Sequence, residues 1–359
     1  MADYLSTENN GILVVNKPKK LLVVTAAYPP EWGGQATYAR LLKDGLPKVS
    51  KDKLRAIIFN GRCYLNWPRF FRFWAVFLRT LYLGRYCDAI YALDIELGRG
   101  TSVAAAILRK PFWLKLDATA VWAADHQVKP FLPLINRSSL VIAPSREIFD
   151  LVRSVGIPET KLLLLSNAFD APEGLDSRVA IRTKWKVQGE IAVAAGPLSL
   201  RKNFRALIEI WPAVLERFPD AKLLIFGDGP ERKNLENAIS ELTLKDSVLL
   251  SPALSGEELY VYLKMSNVVI LPSFYEASSQ FLREARSLGA SIIAGAIGDN
   301  REVLAGHQAA SFVDPNDRPA LLAAILKMIA EPTEAVLAKK TSTEEEMLVT
   351  LSRRLIAPI

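Results

Sequence analysis

Short runs of apolar, largely β-branched residues recur along the chain. Between them lie longer stretches whose apolar positions fall three and four apart. Six runs occupy the first half, at residues 21–25, 55–59, 88–92, 112–116, 140–143 and 161–165. Six more occupy the second half, at residues 191–195, 222–226, 247–250, 268–271, 291–294 and 310–313. Within each run the apolar residues are continuous rather than alternating, the pattern of a strand covered on both faces. The intervening stretches predict helices, for example over residues 204–217, 231–242 and 319–329. Strand and helix in alternation predict parallel sheets with helices on both sides. Twelve strands in two groups of six predict an α/β protein of two doubly wound, Rossmann-like domains, with a cleft where the sheets face each other.

The periodicity breaks at Ala171-Pro172-Glu173-Gly174 and Asp176-Ser177, turn-forming residues that place the seam there. The predicted layout is a first domain over residues 1–170, a linker over 171–187, a second domain over 188–332 and a tail over 333–359. Residues 1–19 read as a loose leader, and residues 341–355 as a charged helix in the tail.

Composition narrows the classes. A chain of 359 residues accommodates two domains at roughly 100–200 residues each. Half the residues are hydrophobic and 23% are charged, which excludes disordered and fibrous classes. The only cysteines, Cys63 and Cys87, make no disulfide framework, and with His126 and His307 as the only histidines a His-rich metal site is excluded. No metal is expected. No apolar run reaches the roughly 18 residues of a membrane-spanning helix. Asp3 and Glu8 precede Lys17, Lys19 and Lys20, an order opposite to that of a secretory signal. A cytoplasmic protein is expected, or one at the inner face of the cytoplasmic membrane. The net charge of +7 is uneven: residues 1–170 hold 23 basic and 14 acidic side chains, and residues 53–85 hold seven basic and no acidic ones.

In open parallel sheets, ligands bind at the carboxyl ends of the strands, so the strand-to-helix loops carry the candidate chemistry. The first strand is followed by Tyr28-Pro29-Pro30-Glu31-Trp32-Gly33-Gly34-Gln35. Its paired glycines allow a backbone to approach a ligand closely, and the helix start behind them favours an anion. A plain tight turn would use the same residues. The first strand of the second half is followed by Gly196-Pro197-Leu198-Ser199-Leu200-Arg201-Lys202-Asn203-Phe204. Adjacent cations at the end of a buried strand suit a diphosphate, and equally an exposed basic turn. Gly227-Asp228-Gly229-Pro230 fits a sharp turn into a helix.

The segment from Pro272 to Ala285 is the most informative, because it holds Glu276 and Glu284. Ser278 or Ser279 is placed to cap a helix whose free N–H groups would point into the cleft. Glu284 would lie inside that helix, where a carboxylate can accept two hydrogen bonds from a vicinal diol such as a ribose. Glu276 could do the same for a second polyol. A solvated acid and an ordinary helix charge are the plain alternatives.

In this order and spacing, the set resembles the retaining GT-B glycosyltransferases of the large family 4, glycosyl transferases group 1. The matching residues are Gly33-Gly34, Ser166-Asn167-Ala168-Phe169-Asp170, Lys202-Asn203-Phe204, Gly227-Asp228-Gly229-Pro230, and Glu276 through Glu284 between Pro272 and Gly289. The resemblance implies a GT-B fold, with the acceptor on the first domain, a nucleotide-sugar donor on the second, and a terminal helix crossing back to the first. It implies transfer of a hexose-type sugar to a hydroxyl of a carbohydrate or lipid-linked acceptor with retention, in surface glycan or glycolipid synthesis. Glu276 would contact the donor sugar, and the backbone of Ala277, Ser278 and Ser279 the sugar or diphosphate. Lys202 would hold the diphosphate and Glu284 the ribose. Gly33 and Gly34 would line the cleft near phosphate or acceptor, and with Gly227 they join the donor-binding set. Such enzymes typically need no metal, and the nucleotide sugar is a substrate rather than a cofactor.

Two positions depart from the family. Pro197 stands where Gly-Arg-Leu usually supplies a diphosphate-clamping arginine, and Arg201 is the candidate replacement. Near residues 115–122, one alignment puts Asp117 at the place of a family histidine, and another, anchored on Trp122, puts Thr119 at an acid position. Asp117 is taken as the catalytic-side polar group, with a helix cap as its plain alternative. His126 could reach the cleft; His307 carries no signal. A nucleotide-sugar epimerase of the same fold, and a non-catalytic relative that binds a nucleotide sugar or only a partner, are the alternative functions.

Residues 68–83, PRFFRFWAVFLRTLYL, stand apart. At ~100° per residue, Arg69, Arg72 and Arg79 fall within about 80° of one another on a helix. Aromatic and aliphatic residues cover the rest. Such a helix suits peripheral contact with a bilayer or an anionic lipid-linked acceptor, and equally a core helix with one wet stripe. No nucleic-acid motif accompanies the arginines, so nucleic acid is not expected.

Overall fold

The computed structural model describes residues 19–29, 34–116, 128–167, 169, 189–254, 256–276, 279–331 and 343–356. The first sheet contains β1 (Lys19–Thr25), β2 (Leu54–Asn60), β3 (Ala89–Ala92), β4 (Phe112–Lys115), β5 (Leu140–Ala143) and β6 (Leu162–Leu164). The second contains β7 (Ile191–Ala195), β8 (Lys222–Phe226), β9 (Val248–Ser251), β10 (Val268–Leu271), β11 (Ile292–Gly295) and β12 (Ala310–Val313). Their orders are β2-β1-β3-β4-β5-β6 and β12-β11-β10-β7-β8-β9, and every pairing is parallel. The continuous apolar runs form these strands because helices cover both faces, most completely at the central strands β3, β4, β5, β7, β10 and β11. β7, IAVAA, is buried at all five positions.

One core packs the second sheet, around Trp211, Phe204 and Phe226. Two layers cover the first sheet, one holding Val76, Ile95 and Leu134, the other Tyr38, Leu42 and Leu46. The helix Glu344–Ile356 lies on the second of these layers through Met347, Leu348, Leu351 and Leu355. Gly45 lets it approach, since a Cβ there would meet Leu348 Cδ1 at 2.3 Å. Lys19 Nζ donates to the Leu355 carbonyl at 3.0 Å. Lys19, assigned above to the leader, thus starts β1; residues 1–18 and the expected linker 171–187 lie outside the described residues.

The helix Arg69–Gly84 does not follow the core-helix alternative with one wet stripe. Its buried residues are Val76, Thr80 and Gly84, while Phe70, Phe71, Trp74, Leu78 and Tyr82 are exposed. Arg72 turns inward, donating to Glu96 Oε2 at 2.7 Å and to the Leu65 carbonyl at 3.1 Å. The helix packs by its narrow small-residue face, and its bulky apolar side looks out.

Candidate active site

The second sheet reverses its strand order between β7 and β10. A crevice opens at such a switch point, and ligands bind there. The loops leaving these two strands carry Arg201 and Lys202 on one side and Glu276 on the other. After β7 a single tight turn, Leu200–Lys202, ends at Asn203. Asn203 is left-handed at φ 55°, a conformation that asparagine tolerates better than most residues. Its Nδ2 donates to the Pro315 carbonyl at 2.9 Å, fixing the turn. The reversal aims Lys202 back over Gly196, where a Cβ would sit 3.0 Å from Lys202 Cε. Gly227 is a spacer: a Cβ there would lie 2.0 Å from the Gly196 carbonyl oxygen, so the loops after β7 and β8 touch backbone to backbone.

After β10 the chain is tied to the first loop. The Phe274 N–H donates to the Arg201 carbonyl at 2.8 Å, and Arg201 Nη1 donates to the Tyr275 carbonyl at 2.8 Å. Glu276 Oε1 then receives both cations, with Lys202 Nζ at 2.6 Å and Arg201 Nη1 at 3.1 Å. Glu276 is 5% exposed and Lys202 4%. Burial alone would raise the Glu276 carboxyl, but Lys202 and Arg201 outweigh it and hold it below the usual carboxylate range. Burial lowers the Lys202 ammonium against the pull of Glu276. Two cations therefore share one carboxylate in a nearly dry pocket.

The helix Gln280–Ser287 begins directly behind this cluster, and Ser279 caps it by accepting the Leu282 N–H at 3.3 Å. Glu284, inside the helix, is buried. Burial pushes its carboxyl up to about 8, with Gln280 opposing. The first domain closes over this helix start: a Cβ on Gly34 would lie 3.0 Å from Gln280 Cβ. Tyr275 reaches across and is counted among the first domain's core. The Arg146 N–H donates to Glu302 Oε2 at 3.2 Å across the same seam.

Glu276, Lys202 and Arg201 thus meet at one point, with Ser279 and Glu284 on the adjoining helix and Gly34 facing it. Gly33, Asp117, Thr119, His126, Ala277 and Ser278 lie outside the described residues. His307 is buried against the Ala290 carbonyl, 2.8 Å from its Nε2. Among the described residues no cluster of His, Cys, Asp or Glu is arranged to hold a metal ion, and no helix is long and apolar enough to cross a membrane.

Sequence reasoning missed Tyr275 and the buried pair Arg283 and Asp299, 3.8 Å apart. Burial raises Asp299 to about 7, against the pull of Arg283. Their signal was available, because Asp299 follows β11 at the same carboxyl edge.

Two facing sheets, with a cation–carboxylate cluster at the switch point of the second, define the GT-B architecture. Residues 180–344 match the family model described as "Glycosyl transferases group 1". The chain is 25% identical over 324 residues to an uncharacterized glycosyltransferase of Methanocaldococcus jannaschii, covering 79% of this chain and 82% of that protein. It is 26% identical over 168 residues to the GDP-mannose-dependent alpha-(1-6)-phosphatidylinositol monomannoside mannosyltransferase of Mycolicibacterium smegmatis, covering 45% of this chain and 44% of that one. The crystal structure of Anabaena HepE in complex with UDP and glucose superposes with a TM-score of 0.69 at 18% identity, over 94% of this chain and 95% of the other. The chain has the GT-B fold, and its residues 180–344 are similar to the glycosyl transferases group 1.

Proposed function

We propose that the chain moves a hexose-type sugar from a nucleotide-diphosphate sugar to an acceptor hydroxyl, with retention, without a metal ion, in surface glycan or glycolipid synthesis. One observation carries this reading: the buried Glu276 carboxylate is shared by Lys202 and Arg201 at the switch point of the second sheet. In the structure the carboxylate balances the two cations. A diphosphate brings enough charge to take its place on both, which frees Glu276 to accept hydrogen bonds from hydroxyls of the donor sugar. As the glycosidic bond breaks, charge builds on the departing diphosphate. Lys202, Arg201 and the N–H groups opening the helix Gln280–Ser287 face that charge.

Arg201 answers the departure at Pro197. It reaches the same carboxylate as Lys202, so the site keeps two cations although the arginine expected at 197 is missing. Glu284, buried inside the helix Gln280–Ser287, takes the ribose diol, and Gly34 lines the first-domain wall. Asp117 faces the donor sugar or acceptor in this reading. The GDP-mannose-dependent relative and the structural neighbour in complex with UDP and glucose support a nucleotide-sugar donor. An epimerase of this fold would draw on histidine as well as acids; His307, the one described histidine, is buried against the Ala290 carbonyl.

The test is a transfer assay with uridine, guanosine and adenosine diphosphate sugars, preceded by thermal-shift screening, since a bound nucleotide raises the melting temperature by mass action. The proposal expects one donor to be turned over in the presence of a chelator, with a retained product anomer by NMR. Turnover should fall about 10²–10³-fold in Glu276→Ala. Nucleotide binding without turnover for every acceptor tried would instead support a binding-only relative.

A further inference from the structure

The helix Arg69–Gly84 has two apolar sides, and the described residues of the first domain pack against the inner one. Its inner side packs on the helix Ile95–Ile107 so closely that a Cβ on Gly100 would lie 2.8 Å from the Phe73 carbonyl oxygen. On its outer side Phe70, Phe71, Trp74, Leu78 and Tyr82 are between 45% and 67% exposed. At ~100° per residue these five fall within about 120° of arc, along a helix about 24 Å long. An apolar stripe of that extent on a protein surface marks an interaction face.

The flanks say what covers it. The Arg79 and Arg85 guanidinium carbons lie over the Tyr82 ring at 5.9 and 4.5 Å, and that of Arg85 over the Tyr86 ring at 4.5 Å. The aromatic rings thus hold cations at the margin of the apolar stripe, and no acidic residue occurs between positions 53 and 85. A second copy docking through this face would bring arginine against arginine. A bilayer bearing anionic headgroups accepts both features, with rings at headgroup depth and guanidinium groups at phosphate. The fold also orients the stripe. A helix that follows a parallel strand starts at the carboxyl edge of the sheet, so the Phe70 end lies on the edge where Gly34 faces Gln280.

We propose that the outer face of Arg69–Gly84 docks the enzyme on an anionic lipid surface, with the cleft edge turned toward it. Lipid binding needs no donor, so its test is independent of the transfer reaction. The experiment is co-sedimentation of the full chain with phosphatidylcholine vesicles, with and without phosphatidylglycerol. Wild type should sediment with the anionic vesicles. The triple variant Phe70→Ser, Trp74→Ser, Leu78→Ser should lose at least about tenfold in affinity, while its melting temperature stays at the wild-type value because these side chains are exposed. A second variant, Arg79→Ala with Arg85→Ala, should lose about fivefold per arginine on anionic vesicles and nothing on neutral ones. The proposal is overturned if wild type ignores both vesicles or if the triple variant binds as wild type does. It is also overturned if light scattering shows a dimer that the triple substitution dissolves, with no vesicle binding.

Discussion

Glu276→Gln keeps the shape of the side chain and removes its charge. In the wild type one carboxylate oxygen lies 2.6 Å from Lys202 Nζ and 3.1 Å from Arg201 Nη1, with all three side chains largely sealed from water. The variant leaves two neighbouring cations without a counter-charge. Removing one partner of a buried ion pair costs about 3–5 kcal/mol, so the unfolding free energy at neutral pH should fall by about that amount. The deficit should shrink as pH rises. Burial already lowers the Lys202 ammonium, so without Glu276 the folded state sheds this proton before the unfolded chain does, and stability climbs through that window. The same substitution should tighten UDP binding, because the diphosphate no longer displaces a carboxylate. A charge-assisted hydrogen bond contributes about 1.5–3 kcal/mol, which corresponds to roughly 10–100-fold in Kd. Urea melts at neutral and alkaline pH, with and without UDP, and calorimetric titration of UDP measure all three effects. If stability stays within about 0.5 kcal/mol of wild type and the UDP Kd is unchanged or weaker, the displacement argument is wrong.

Three further substitutions probe the remaining parts of the site. Glu284, raised by burial to about 8 from 4.5, keeps a proton when folded that the unfolded chain gives up. Stability should therefore fall from about pH 4.5 up to about 8, by about 1.4 kcal/mol per pH unit. Glu284→Gln should flatten that slope by one proton in urea melts across the window, leaving the same-signed slope from Asp299, raised to about 7; an unchanged slope would count against it. Gly227→Ala puts a Cβ 2.0 Å from the Gly196 carbonyl oxygen and should cost about 1–3 kcal/mol together with nucleotide affinity, whereas a wild-type melting curve would show that the two loops can separate freely. Among the described residues, Gly34→Ala meets the Gln280 side chain, 3.0 Å from its Cβ across the domain seam. It should leave the melting temperature and UDP affinity alone while raising the acceptor KM, and a loss of UDP affinity would contradict this.

The strands were legible because a parallel, doubly covered strand is a continuous apolar run, and the chain repeats that signal twelve times. Strand neighbours were not. Lys202 and Glu276 are 74 positions apart, and only the pairing of β10 with β7 brings their loops together. Whether Arg201 reaches the same carboxylate depends on a single left-handed residue, Asn203, which no hydrophobic pattern encodes. Tyr275 was missed for a related reason: it reads locally as an ordinary loop residue and gains its place only once the first domain covers the second. Asp299 stood at the carboxyl edge after β11, but its partner Arg283 lies on another element.

The helix Arg69–Gly84 shows where periodicity stops short. Hydropathy alone left two placements open, a bilayer-facing aromatic side or a core helix with only the arginine stripe wet. Packing turned the aromatic side outward, because Val76, Thr80, Gly84 and the facing Gly100 let two backbones meet at close range. Arg72 follows from that choice, since turned inward it finds Glu96, 24 positions away. A spacing rule weighs residues by polarity, whereas a helix pair weighs them by how near two backbones can come. A helix rich in small residues on one side and aromatics on the other satisfies the second criterion first and leaves its largest side chains for an outside partner.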